Sequence, residues 1–326
     1  MLIHRPRSPM VAPLVFLVCP LFAVAAAASD DSSPNATMRY VAVSAQSDAD
    51  HNQQSMATLS FTMGDNWWAH IGGGKTRTTQ SAQTVQKSSP MLGSLGFGVA
   101  GGNLQFTLDA DLRRDGDVYR QRDWSGALDW HSAKLSLALD GMHRNTDIEA
   151  VVPVTGPNGG TAYVPLAESV AGNGFGLRGS FNVTERLNAF VGGMKYNYSI
   201  TTRQNGDVNI NGLSGGALNA FINRILANHV RLAQQLLARA SAVNRDEAIL
   251  DHSYNAGLTY QFNSLGLTGQ YINDKALDSG DVATTVELSA VVFIGKHWTL
   301  TPGIGRTGSA QFGSVNFASL SVNYGW

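Results

Sequence analysis

The sequence predicts an all-β chain: a transmembrane, antiparallel, up-and-down β-barrel of about fourteen strands, with twelve as the nearest alternative. Three observations predict it. Charge is sparse, with 14% of the 326 residues charged against about 25% in soluble domains. Yet 43% of residues are hydrophobic and the mean hydropathy is only -0.08. Apolar residues are therefore spread thinly, not gathered into the runs of about 20 that a helical membrane bundle needs. Second, polar and apolar residues alternate with period two over long segments. Third, the connections between those segments are alternately short and long, the pattern of membrane barrels. The same composition excludes disorder, which needs high charge and few apolar residues. A net charge of -1 leaves no electrostatic footprint for nucleic acid.

Residues 1–28 read as a signal peptide for Sec-type export, with the barrel domain at 29–326. Arg5 and Arg7 precede an apolar run from Met10 to Ala28, and Ala26-Ala27-Ala28 supplies small residues before Ser29. Cys19 is the only cysteine and falls inside that segment. It is flanked by Val18 and Pro20, which argues against a lipoprotein site. A mature chain without cysteine has no disulfide, thiolate or cysteine metal chemistry. The eight histidines show no metal-binding spacing. No cofactor and no metal are expected.

The clearest strand runs from Leu104 to Arg113, where Leu104, Phe106, Leu108, Ala110 and Leu112 alternate with Gln105, Thr107, Asp109, Asp111 and Arg113. That length suits a bilayer crossing; strands of soluble sandwiches average five or six residues. The alternation recurs around Trp124–Trp130, Leu135–Gly141, Phe175–Val183, Tyr254–Phe262 and Val286–Ile294. Weaker examples lie at 55–64, 67–76, 91–100, 187–200, 265–274 and 298–307, and the segment 38–46 is the faintest. Short turns fall at 64–66, 101–102, 131–133, 184–186, 263–264 and 295–297. Longer links fall near 77–90, 114–118, 145–173, 201–252, 275–282 and 308–314. The first short turn follows the strand at 55–64, so an opposite strand must precede it, and only 38–46 is available. That makes fourteen. Trp67, Trp130, Trp298 and Trp326 fall beside short turns or the C-terminus. Trp124, Tyr196, Tyr198, Tyr254 and Tyr271 fall toward the long links. Two interfacial girdles are thereby predicted.

The last strand carries the most specific motif. Ala318, Leu320, Val322, Tyr324 and Trp326 alternate with Ser319, Ser321, Asn323 and Gly325, and the chain stops on the aromatic residue. This resembles the C-terminal signature of Gram-negative outer-membrane proteins of porin-like architecture. Leu320, Val322, Tyr324 and Trp326 match that pattern, although phenylalanine is commoner than tryptophan at the last position. No subfamily is indicated. The resemblance implies a bacterial outer-membrane location, recognition by the barrel assembly machinery, short turns on the periplasmic side, and contact with outer-membrane lipid and lipopolysaccharide.

One long link breaks the pattern. Within 201–252, the segment Ala217–Val243 turns helical in period: Leu218, Ile222, Ile225, His229, Leu232 and Leu236 form an apolar stripe. Arg224, Arg231 and Arg239 lie on the other face. This amphipathic, basic helix can pack over the barrel mouth, lie on the outer leaflet, or serve a partner. In the barrel, inward positions are mostly neutral and polar, with charge gathered on three neighbouring strands. Asp109, Asp111, Asp123, Asp129 and Asp140 are candidate lumen-lining acids; Arg113, Lys134, Arg178 and Lys195 are candidate partners. An acidic strip of Asp109, Asp111 and Asp123 that attracts the arginine-bearing helix follows as an expectation. Arg113, Arg114, Arg120 and Arg122 cluster at one rim, within reach of lipopolysaccharide phosphates.

The functional expectation is a porin-like channel for passive, loop-gated diffusion of small solutes. Two other classes compete: a structural or adhesive surface barrel acting through its loops, with Gly156-Pro157-Asn158-Gly159-Gly160 as a raised hairpin tip, and a lipid-modifying enzyme. The enzymatic reading lacks an H-x-S-N-G motif. His131-Ser132 sits in a short turn, where adjacent residues seldom present base and nucleophile together.

Overall fold

A computed structural model describes residues 39–49, 52–63, 66–77, 90–116, 119–155, 161–204, 249–277, 280–310 and 313–326. The export segment 1–28 and the helix predicted within 201–252 (Arg224, His229, Arg231 and Arg239) lie outside the described residues. Fourteen strands follow one another: β1 (Arg39–Asp48), β2 (Gln53–Met63), β3 (Trp67–Arg77), β4 (Met91–Gly101), β5 (Leu104–Asp115), β6 (Tyr119–His131), β7 (Leu135–Thr155), β8 (Thr161–Asn182), β9 (Leu187–Gln204), β10 (Leu250–Gln261), β11 (Leu265–Ala276), β12 (Val282–Ile294), β13 (Trp298–Ser309) and β14 (Gly313–Gly325). Each pairs with its chain neighbours, and β1 pairs with β14 to close the barrel. The faint segment at 38–46 is thus a full strand. The seam ends in a reciprocal pair: Trp326 N donates to Arg39 O at 2.9 Å, and Arg39 N donates to Trp326 O at 3.3 Å.

The barrel's dimensions follow from its register. Starting at Leu187 and stepping from strand to strand around the barrel, the pairing returns to β9 at Thr201, fourteen residues further on. Fourteen strands with a shear of fourteen, spaced about 4.8 Å apart at about 3.3 Å per residue, tilt by about 35° and enclose a backbone radius of about 13 Å.

The outer face is apolar all the way round. Val43, Leu59, Ile71, Leu95, Leu108, Leu139, Leu177, Val191, Leu258, Leu288 and Ile304 are exposed large side chains from eleven different strands. A belt of this kind far exceeds the isolated patches of a soluble surface; it is the lipid-facing surface of a membrane barrel. The aromatic girdle at the short-turn end is a set of touching rings. Trp67 meets Phe97 at 5.1 Å between centroids, Trp298 meets Tyr324 at 4.6 Å, and Tyr324 meets Trp326 at 5.8 Å.

Two expectations need correction. The link at 145–173 is largely strand: β7 and β8 pair without interruption from Leu135↔Phe181 to Thr155↔Thr161. Val151, Val152, Val154, Thr161, Tyr163 and Val164 favour extended backbone. Pro153, Pro165 and the adjacent valines obscure the alternation without ending the strands. With β9 running on to Gln204, three strands form a flange that stands above the rest of the wall. Second, Tyr196 and Tyr198 do not belong to the outer girdle. They share the parity of the buried Gly192 and not of the exposed Val191, so they face the lumen.

Candidate functional site: the polar lumen

The inward face is built from small and polar residues, with large rings laid flat against the wall. A Cβ placed on Gly98 would fall within the Trp68 ring. Gly96 is covered in the same way by His70, Gly257 by Phe190, Gly305 by Phe317, Gly172 by Tyr198 and Gly174 by Tyr196. In each case the ring comes from a neighbouring strand and occupies the space of the missing side chain, an aromatic cover over a strand glycine. The consequence is mechanical. Bulky inward residues are stored in the plane of the wall and do not reach across the lumen.

Two arginine–aspartate grips stand out among the charged groups of the described lining. Near the short-turn end, Arg178 on β8 forms a two-pronged bond to Asp140 on β7, with Nε to Oδ2 and a terminal nitrogen to Oδ1 both at 2.7 Å. Its terminal nitrogen also stands 3.6 Å from Asp129 on β6. The Arg178 side chain is 51% exposed. Toward the other end, Arg144 on β7 grips Asp123 on β6 with Nε to Oδ1 at 2.9 Å and a terminal nitrogen to Oδ2 at 2.7 Å. Gln121 donates to the same carboxylate at 2.7 Å, and Tyr119 in turn donates to Gln121. Here the Arg144 and Asp123 side chains are only 8% and 11% exposed. An inward apolar cluster of Ile148, Val170 and Ile249, flanked by Tyr119, Tyr198, Ile200 and Leu277, lies at this end of the wall. Another part of the lining is a polar ladder: Thr259 with Thr268 at 3.0 Å, Gln270 donating to the Glu287 carboxylate at 2.8 Å, and Thr285 with Thr307 at 2.9 Å.

Against the expected lumen set, Asp109, Asp111, Asp123, Asp129, Asp140, Arg113 and Arg178 stand at inward-facing positions of their strands. Asp109 lies 3.7 Å from His70, across Gly96. Asp111 and Asp123 are direct cross-strand partners; two like charges there would repel, and Arg144 offsets this by holding Asp123. The expected acidic strip is therefore reduced, because Asp123 is buried and occupied. Lys134 sits in an exposed short turn, where its carbonyl accepts from Asn182 N at 2.8 Å. Lys195 is displaced altogether. It shares the parity of Val191, pairs in register with Phe175, and binds Asp251 on the outer surface. Arg144 is the residue that sequence reading missed. It falls three positions beyond the clear alternation of Leu135–Gly141, and carrying that parity onward would have found it.

Ser60, His70 and Asp109 share one inward row, with Gly96 between the last two. The order suggests a hydrolase set, but Ser60 is 3% exposed and no hydrogen bond joins it to His70. Among the described residues, no group of three or more His, Cys, Asp or Glu could hold a metal ion.

No family model and no curated protein matches the chain. Among solved structures, the CymD monoaromatic hydrocarbon channel is 8% identical over 90% of this chain and 88% of its own, with a TM-score of 0.47. The outer membrane protein OmpT of Vibrio cholerae is 10% identical over 91% and 99%, with a TM-score of 0.41. OccK3 (OpdO) of Pseudomonas aeruginosa is 9% identical over 89% and 95%, with a TM-score of 0.35. These are distant likenesses of barrel wall, and the reading of the lumen rests on its own residues.

Proposed function

We propose that this chain is an outer-membrane channel that passes small solutes by passive diffusion. The short turns and the C-terminus face the periplasm, the flange β7–β9 faces outside, and Leu320, Val322, Tyr324 and Trp326 present the assembly signal. One observation carries the reading. A wall about 13 Å in backbone radius lays its inward rings flat on glycines and lines the remaining space with polar groups. Such a wall keeps a wet cross-section that an eight-stranded barrel fills with side chains. Arg178, half in water between Asp129 and Asp140, is the charged group placed to meet a passing ion. The insertion 201–252 supplies the gate in this reading.

Planar-bilayer conductance of the refolded protein, with and without residues 213–243, is the test. Discrete steps that grow or become longer-lived on removal of the segment support a loop-gated channel. Absence of conductance from both proteins, each closed by heat-modifiable gel mobility, overturns the channel. The raised flange gives one specific reason to keep a surface-interaction role as the second reading. The enzymatic reading is weaker, because the Ser60/His70/Asp109 row has its serine shut off from solvent.

A further inference from the structure

The lumen face of β3 to β5 holds a patch whose chemistry passive diffusion alone does not use. Trp68 and His70 occupy successive inward positions on β3, both half-buried. Their rings are 6.1 Å apart between centroids and only 11° from parallel. Same-face neighbours on a strand stand about 6.6 Å apart, so the two rings lie side by side as tiles and not one upon the other. Trp68 covers Gly98 and His70 covers Gly96, their direct cross-strand partners on β4. One face of each ring rests on glycine backbone, and the opposite face looks into the lumen.

Asp109 on β5 completes the patch. It pairs with Gly96 from the other side, so its carboxylate and the His70 ring converge over one glycine, 3.7 Å apart. The Asp109 side chain is 31% exposed. Among the described residues, no lysine or arginine pairs with it, whereas Arg178 grips Asp140 and Arg144 grips Asp123. An imidazole is largely neutral at pH 8, which leaves this carboxylate without a full counter-charge. The second tiled pair, Tyr196 and Tyr198 at 6.1 Å, has the opposite neighbour: Tyr198 stands by the Arg144 guanidinium, which already supplies a cation there.

We propose that Trp68, His70 and Asp109 form a lumen subsite for an organic cation, a quaternary or protonated amine, whose head sits between the indole face and the carboxylate. An aromatic face attracts a cation within about 6 Å of its centroid, and indole does so best. The flat, partly dry tiles favour a large, weakly hydrated cation, and Asp109 supplies the full negative charge. The subsite names a solute class for the channel proposed above and rests on that reading for the solute's route.

The experiment uses the refolded full chain in detergent at pH 8, with its tryptophans carried as 5-fluorotryptophan and read by fluorine NMR. The resonance lost in Trp68→Phe assigns Trp68. Choline chloride is the probe, 3,3-dimethylbutan-1-ol its uncharged isostere, and sodium chloride the match for ionic strength. Choline is expected to shift the Trp68 resonance saturably and to leave that of Trp67, which faces outward, in place. The isostere is expected to bind at least about 10-fold more weakly. Asp109→Asn should weaken choline binding about 5-fold, which corresponds to about 1 kcal/mol, and Asp109→Glu should restore most of it. Glu287→Gln, which removes an inward carboxylate from the opposite wall, should leave the affinity unchanged. An equal shift from sodium chloride or from the isostere, or unchanged choline affinity in Asp109→Asn, overturns the subsite. If heat-modifiable mobility shows that Asp109→Asn does not close, the comparison of choline with its isostere on the wild type decides. Planar-bilayer conductance is read separately: a protein that binds choline and passes no current overturns the channel and leaves the subsite standing, whereas one that conducts and does not bind choline overturns the subsite alone.

Discussion

Two arginine–aspartate grips occupy the same lumen and differ in what surrounds them. Both are two-pronged and both join neighbouring strands: Arg178 to Asp140 across β7 and β8, and Arg144 to Asp123 across β6 and β7. The Arg178 side chain is 51% exposed, whereas that of Arg144 is 8% exposed. Identical bonds therefore have different roles. In water the pair is screened and contributes about 0–1 kcal/mol, so its charge remains available to solutes. Out of water, each partner depends on the other, because an uncompensated buried charge costs several kcal/mol. One grip leaves its charge in the water of the lumen, where the proposed channel would use it, and the other holds the wall.

The sharpest way to break that contrast is Arg144→Gln. It should destabilise the barrel by about 3–5 kcal/mol by stranding Asp123, measured by urea unfolding in lipid. Arg144→Gln/Asp123→Asn should recover most of the loss; if it recovers none, the ion pair is not what the arginine supplies. An intermediate effect, about 1–3 kcal/mol for overpacking, is expected from Gly98→Ala, which pushes the Trp68 ring off the wall. Single-channel conductance should fall with it. Gly101→Ala, where nothing lies within 4 Å of the new Cβ, should change neither. The smallest stability effect belongs to Arg178→Gln, at most about 1 kcal/mol. Yet the reversal potential in a salt gradient should move toward cation preference as Asp129 and Asp140 lose their counter-charge. An unchanged reversal potential would place Arg178 outside the conducting path.

Most of the wall was legible in the sequence because a period of two assigns a face to each residue as soon as a strand is recognised. The parity of Leu104–Arg113 and Trp124–Trp130 placed Asp109, Asp111, Asp123 and Asp129 inward, where they stand. What alternation does not contain is the offset between strands, and ion pairs depend on it. Arg178 meets Asp140 because Ala138 pairs with Arg178 and Asp140 with Gly176, a relation set by the register of β7 against β8. Lys195 failed for a chemical reason. Tyr196 and Tyr198 looked like lipid-facing aromatics, which pushed Lys195 to the lumen side, but in this barrel rings also lie inward over glycine. The nearby pairs Gly172/Tyr198 and Gly174/Tyr196 were the available signal, visible only once β8 and β9 are set in register. The flange was hidden by two prolines and a valine doublet that interrupt the pattern without interrupting the strands.

The seam between Arg39 and Trp326 also constrains how the molecule comes into being. The first strand of the barrel finds its second partner only when the last residues of the chain exist, so every intermediate carries two open edges. In hydrocarbon each unpaired backbone group on such an edge costs several kcal/mol, and in water the same edges recruit other chains. Closing a loop nearly as long as the whole barrel is also slow, because its entropy is lost before any seam bond forms. A nascent chain of this design has to be chaperoned to the bilayer and zipped as it enters. Removing a handful of residues from its end should abolish the barrel as a whole, not merely fray one strand.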